Sequence, residues 1–287
     1  MIDLHVHTTA SDGQYSPTQI VEKAAEKNIK VLAITDHDTV AGLEEGQKAA
    51  EKNGITFVPG VEINIQSVRG EFHLLGLGLI NITKSLTTIL DNLITSREER
   101  NKQIIKKMQE GGVDITLEEI MEDFPGAVIG RPHLAAELVK KKIVKTKQLA
   151  FDKYLAKGRP WYCERTGANL DEAIVAIKES GGVPVIAHPM SLYLSWGKLP
   201  DAMTKYKEQG IVGIEAFHPG ARVTECLRLE ELGRKLGLII TAGSDFHGEK
   251  IRADRKLGHT CGGKKIEDLH YYEELLPALK AQRNQVF

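Results

Sequence analysis

Cysteine is scarce in this chain: Cys163, Cys226 and Cys261 are the three present, far apart and in no paired spacing, so neither a disulfide framework nor a thiolate zinc cluster has support. A surplus of one charge is lacking as well. The 38 basic and 39 acidic residues leave a formal net charge of -1 at pH 7, so no global field draws the protein to long duplex nucleic acid, although a local basic groove stays open. No apolar run is long enough to span a bilayer, and Met1-Ile2-Asp3-Leu4-His5 lacks the basic and apolar regions of a secretory signal. The expectation is a cytoplasmic protein with no membrane partner. Phosphate-binding glycine signatures are missing too. Gly42, Gly46 and Gly54 do not form GxGxxG, and neither GxxxxGKS nor GxxxxGKT occurs, which excludes a Rossmann dinucleotide site and a P-loop.

What the chain does have is a recurring partnership of histidine with carboxylate, each instance following an aliphatic run: Asp3-Leu4-His5-Val6-His7, Thr35-Asp36-His37-Asp38, Ala187-His188-Pro189 and Ser244-Asp245-Phe246-His247. Side chains alternate faces along an extended strand, so His5 and His7 emerge on one side and can chelate one ion. Asp12 follows in a loop where Gly13 permits a turn, Glu62 closes Pro59-Gly60-Val61-Glu62, and His73 lies a short way on. Burying so many ionisable groups unpaired is costly, and their coincidence at successive strand ends points to a metal centre. A set of imidazoles and carboxylates without thiolates suits manganese, iron or zinc better than magnesium alone, and two or three closely spaced divalent ions use it economically.

The 287 residues, 41% of them hydrophobic, suffice for one large domain or a main domain with an insertion. Strands are expected at residues 2–6, Val31 to Ile34, Phe57 to Ile65, Phe72 to Leu77, Val183 to Ile186, Val212 to Phe217 and Leu238 to Thr241. The early ones alternate with helices, one opening at Ser16-Pro17 and running to about Glu26, another reaching about Glu51. A closed or nearly closed barrel lets ligands from the start, middle and end of the chain meet, because every strand then points its carboxyl end at one mouth. His188 is expected to finish the sixth barrel element and Asp245 the last, with the strand numbering left open. Residues 96–158 depart from the pattern, with helices rich in Lys, Arg and Glu, broken at Gly111-Gly112 and at Phe124-Pro125-Gly126. They read as a helical insertion over the mouth, set into a barrel of residues 1–95 and 159–287. Its Gly130-Arg131-Pro132-His133 opens a helix where Arg131 and His133 can address an anion. Lys140-Lys141-Lys142 ends that helix as a solvated face.

These residues resemble the polymerase and histidinol phosphatase, or PHP, family. The matching stretches are Asp3-Leu4-His5-Val6-His7 with Ser11-Asp12-Gly13, Ile34-Thr35-Asp36-His37-Asp38, Pro59-Gly60-Val61-Glu62, Ala187-His188-Pro189 and Gly243-Ser244-Asp245-Phe246-His247. The resemblance implies a distorted (β/α)7 barrel and a metal-dependent phosphoesterase. It implies one ion on His5, His7, Glu62 and Asp245, a second on Glu62, His73 and His188, and a third on Asp12, His37 and His247. The HTTASDG opening, the insertion and Glu215-Ala216-Phe217-His218-Pro219 resemble the small stand-alone members. Some of these remove the 3'-phosphate of nucleoside 3',5'-bisphosphates, and relatives trim short 5'-phosphorylated RNA. Arg131, with His133 assisting, is then the choice for a second, nonreacting phosphate. His218 contacts the reacting phosphate, protonates the leaving oxygen, or simply packs. Asp36 and Asp38 orient histidines or cap backbone. Competing assignments are a histidinol- or sugar-phosphate phosphatase, a catalytically silent metal-bound interaction domain and an amidohydrolase.

Overall fold

The computed structural model describes residues 1–125, 128–164 and 166–286; Gly126 of the expected break lies outside them. In chain order the elements are β1 (Ile2–Asp3), α1 (Pro17–Glu26), β2 (Val31–Ile34), α2 (Leu43–Asn53), β3 (Thr56–Ile65), β4 (Phe72–Leu77), α3 (Lys84–Glu110), α4 (Leu117–Asp123), α5 (Arg131–Lys140) and α6 (Lys147–Ala150). There follow α7 (Leu170–Glu179), β5 (Val183–Ile186), α8 (Leu199–Gln209), β6 (Gly213–Phe217), α9 (Val223–Lys235), β7 (Ile239–Ala242) and α10 (Leu276–Val286). Two compact units result, one of Met1–Leu90 with Gly167–Phe287, the other of Asp91–Thr166.

The first unit is a nearly closed, distorted (β/α)7 barrel. Its seven strands pair in sequence order. The seam between β7 and β1 is held by His7 N–H to Phe246 O (3.0 Å) and Asp245 N–H to His5 O (2.9 Å). Asp3, fully buried, adds a side-chain clasp, accepting from Ser244 N–H at 2.9 Å and Gly258 N–H at 2.7 Å. Strands such as β2, Val-Leu-Ala-Ile, are buried at every position because helices cover one face and the barrel interior the other. Val31 and Ala33 pack inward with Leu75 and Val185, while Leu32 and Ile34 meet Ile20, Val21 and Ala24 of α1.

Not every strand points its carboxyl end the same way. β4 is antiparallel to both β3 and β5, because the short link from Ile65 to Phe72 makes a β-hairpin, and a parallel return needs a crossover of a dozen or more residues. His73 therefore reaches the mouth from the amino end of its strand. The element count is corrected too: His188 follows the fifth strand, since the chain between β4 and β5 adds no strand to the sheet among the described residues.

The second unit has its own core, in which Ile104, Met108, Ile120, Leu134, Leu138 and Trp161 pack together. Lys140 and Lys141 pair with Asp123 and Glu119, so that basic run is matched by acid on α4. No helix among the described residues is long and apolar enough to cross a membrane.

Candidate metal centre

The centre is built around Glu62, which has no solvent exposure. Its Oε1 lies 2.9 Å from His73 Nδ1 and 2.9 Å from His188 Nε2. Its Oε2 lies 2.9 Å from His37 Nδ1, 3.2 Å from His7 Nε2 and 3.3 Å from His5 Nε2. Asp245 Oδ1 faces His7 Nε2 at 3.3 Å and His247 Nδ1 at 3.4 Å, and Asp12 Oδ1 stands 3.3 Å from His247 Nε2. Three overlapping groups have donor atoms within 4.8 Å of one another: His7, Asp12, His37 and His247; His5, His7 and Asp245; and His37, Glu62 and His73. All nine residues proposed from the sequence as ligands converge here.

Their donors are presented by local structure. Ser11 Oγ–H and the Thr8 N–H and Oγ–H all donate to Asp36, at 2.5, 2.7 and 2.7 Å, which pins the loop that carries Asp12. Asp38 Oδ1 accepts from Asn64 N–H at 2.9 Å. Asp36 thus serves backbone and hydroxyl groups, and Asp38 accepts from a backbone amide. Gly13 is needed for close approach: a Cβ there would stand 2.5 Å from His7 O. His188 and Asp245 hold φ of +28° and +51°, conformations that non-glycine residues adopt at a cost and that cluster at functional sites.

Hydrogen bonds also select the tautomers. Ser191 Oγ–H donates to Glu71 O at 2.7 Å, so it accepts from His188 Nδ1–H at 2.8 Å, which turns a bare Nε2 toward Glu62. Glu215, buried in β6, accepts from His5 Nδ1–H at 2.9 Å and from His188 N–H at 2.8 Å. His5 Nε2 is then bare against His7 Nε2, 3.1 Å away. A proton held by His7 or a cation bound by both rings keeps the two nitrogens from meeting lone pair to lone pair. His7 Nδ1 and Glu62 Oε2 are buried without hydrogen-bond partners, in keeping with a site shaped for ions.

Electrostatics agrees. Burial pushes the Glu62 carboxyl up, but His37, His5 and His73 outweigh it and hold it well below the usual carboxylate range. Asp245 and Asp12 are likewise held well below it against their burial, each chiefly by His247. Burial pushes the His7 imidazole down, yet Asp245 and Glu62 raise it to about 10. The cluster draws positive charge inward. Divalent ions held by these donors would supply that charge and displace the protons.

The chain matches the family model described as the PHP domain over residues 3–157, more than half its length. It belongs to the PHP family. A 3',5'-nucleoside bisphosphate phosphatase of Chromobacterium violaceum is 33% identical to it over 90% of this chain and 91% of the relative. A 5'-3' exoribonuclease of Haemophilus influenzae is 32% identical over 85% and 89%. Among solved structures, a Chromobacterium violaceum protein described as an amidohydrolase with bound sulfate and no metal superposes with a TM-score of 0.85 at 30% identity, covering 98% of this chain and 96% of that one. The PHP barrel with clustered imidazole and carboxylate donors is that of a metal-dependent hydrolase acting on phosphoric esters.

The remaining sequence-proposed residues fall in two places. His218 follows β6, is 6% exposed, and sits with Nε2 3.2 Å from Asp245 Oδ2 while Nδ1 accepts from Gly220 N–H at 3.0 Å. Arg131 and His133 belong to the second unit. There Arg131 Nη1 donates to Leu155 O at 3.5 Å, and its guanidinium lies 5.8 Å from the Tyr162 ring. His133 Nδ1 accepts from Gly130 N–H at 3.0 Å, capping α5. Sequence reasoning gave Glu215 no role, although it stood in the quoted Glu215-Ala216-Phe217-His218-Pro219. Residues three apart on a regular strand face opposite sides; a register shift between Glu215 and Phe217 resets the alternation, so Glu215 and His218 serve one centre.

Proposed function

We propose that this PHP-family protein hydrolyses the 3'-phosphate of nucleoside 3',5'-bisphosphates, giving the nucleoside 5'-monophosphate and phosphate. The observation that carries the reading is the buried Glu62 carboxylate ringed by five imidazoles, in a chain similar along 90% of its length to a 3',5'-nucleoside bisphosphate phosphatase. His5, His7, Glu62 and Asp245 are assigned to one ion, Glu62, His73 and His188 to a second, and Asp12, His37 and His247 to a third, with manganese, iron or zinc fitting the donor set. When bound, the ions supply an activated water at neutral pH and neutralise charge developing on the phosphoryl oxygens.

The chain's own groups do the positioning. Burial holds His218 below its ordinary value, although Asp245 opposes this, so the ring is neutral near pH 7 with its proton on Nε2. It is assigned as a hydrogen-bond donor to the phosphoryl group; proton delivery to the leaving oxygen would suit an imidazolium better. Glu215 fixes the His5 tautomer. Arg131 is assigned the second, nonreacting phosphate, with His133 assisting, because a guanidinium offers two parallel donors to such an anion.

A second reading is 5'-3' exonucleolysis of short 5'-phosphorylated RNA, favoured by the similarity to the Haemophilus influenzae exoribonuclease. Manganese-loaded protein should convert adenosine 3',5'-bisphosphate to adenosine 5'-monophosphate and phosphate, and metal-stripped protein should not. No product from fully loaded protein would reject the phosphatase reading, and release of mononucleotides from 5'-phosphorylated oligonucleotides would establish the second.

A further inference from the structure

The loop that leaves His247 brings a buried arginine back to the centre. Arg255 is 6% exposed. Its Nη1 pairs with Asp254 Oδ2 at 3.3 Å. Its Nε has no hydrogen-bond partner among the described residues and stands 3.8 Å from Asp245 Oδ2, an ion pair too long for a hydrogen bond. That oxygen is the one Asp245 turns toward His218, at 3.2 Å, while Oδ1 faces His7 and His247. Gly220 makes room for the arrangement. A Cβ there would lie 2.9 Å from the His218 ring and 3.1 Å from Arg255 Nη2.

Two physical costs meet at this guanidinium. A buried N–H without an acceptor forfeits the hydrogen bond it makes to water. A fixed positive charge beside a centre that takes divalent cations is also repelled by them, strongly so where water is excluded. Asp245 offsets part of this, but its carboxylate is shared with the imidazoles and His218. An anion lying against both the ions and the guanidinium relieves both costs, and a phosphoryl group matches the planar fork of an arginine.

We propose that Arg255 donates to a nonbridging oxygen of the phosphoryl group being hydrolysed, beside the Nε2–H of His218, which makes it a substrate-contacting catalytic residue inside the barrel unit. The role rests on the phosphoesterase reading and is separate from the one assigned to Arg131, which concerns the nonreacting phosphate.

The test is binding of inorganic phosphate to the full manganese-loaded chain, by calorimetry, with metal content measured in parallel. R255K keeps the charge and loses the fork; R255M loses both. Phosphate affinity should fall about 10-fold in R255K and about 100-fold in R255M at unchanged manganese stoichiometry. Unchanged affinity overturns the assignment, as does loss of manganese in step with phosphate, which would make Arg255 a positioning residue for Asp245. If R255M does not fold, R255K decides by the same criteria. Wild-type protein that binds no phosphate also overturns it. Arg255-dependent phosphate binding together with inertness toward adenosine 3',5'-bisphosphate would instead remove the nucleotide reading and leave Arg255 where it is assigned.

Discussion

Replacing Glu215 by glutamine tests how far the centre depends on a carboxylate that is assigned to no ion. Glu215 uses one oxygen for His5 Nδ1–H, at 2.9 Å, and the other for His188 N–H, at 2.8 Å. Glutamine offers one acceptor and one donor. If its oxygen keeps the His188 amide, its NH2 faces His5 Nδ1 and drives the imidazole proton to Nε2, the nitrogen 3.3 Å from Glu62 Oε2, where it blocks coordination. If its oxygen keeps His5 Nδ1–H, the His188 N–H loses its acceptor in a buried site, at about 1–3 kcal/mol. In either orientation manganese affinity should fall about 10- to 100-fold, which corresponds to about 1.4–2.8 kcal/mol. Chelator competition followed by elemental analysis measures this, and nitrogen-15 spectra of the His5 ring report the tautomer. A folded E215Q protein that binds manganese as tightly as wild type would refute the argument.

R131A should impair hydrolysis of a bisphosphate far more than that of a simple aryl phosphate; equal loss in kcat/KM on both would remove Arg131 from the second phosphate. G243A places a Cβ 2.2 Å from His5 Cβ and 2.6 Å from Glu215 Oε1, so it should cost about 3 kcal/mol or more and lower Tm by about 6 °C or more; a shift under about 2 °C would show that the backbone yields there. His270 Nδ1–H donates to Ile240 O at 3.0 Å, and burial pushes its imidazole below the ordinary histidine value. The unfolded chain therefore binds a proton that the native state resists, and stability is lost as pH falls below about 6.5. H270Q should flatten the denaturation free energy against pH across that window, and an unchanged slope would contradict the assignment.

Much of the centre was legible in one dimension because spacing alone constrains it. His5 and His7 sit two apart after an aliphatic run, and extended backbone turns such a pair to one side; Asp245 and His247 share the spacing, but Asp245 lies beyond β7 with φ of +51°, so a turn and not a strand sets that pair. His188 stands just beyond the end of β5, whereas Glu62, expected at a strand end, lies within β3 and pairs with Leu75. Glu215 was harder to assign, since a glutamate among aliphatic residues has the same letter whether it faces a histidine or solvent. Arg255 gave no signal in the sequence, being one basic residue in a charged loop.

Strand positions, the βα rhythm and the ligand inventory came from local pattern: residue size, alternation and proximity along the chain. The reversal of β4, which brings His73 in from the amino end, came from pairing, because hydrophobic periodicity marks a strand without giving its direction. The irregularity between Glu215 and Phe217 was settled the same way, by the register that β7 imposes on β6. Tautomers, the clasp of Asp3 across the seam and the approach of Arg255 to Asp245 depend on partners between 2 and 255 positions away. Such contacts exist only once the barrel has formed, and that is why composition and spacing carried the kind of chemistry while packing assigned each proton and charge its place.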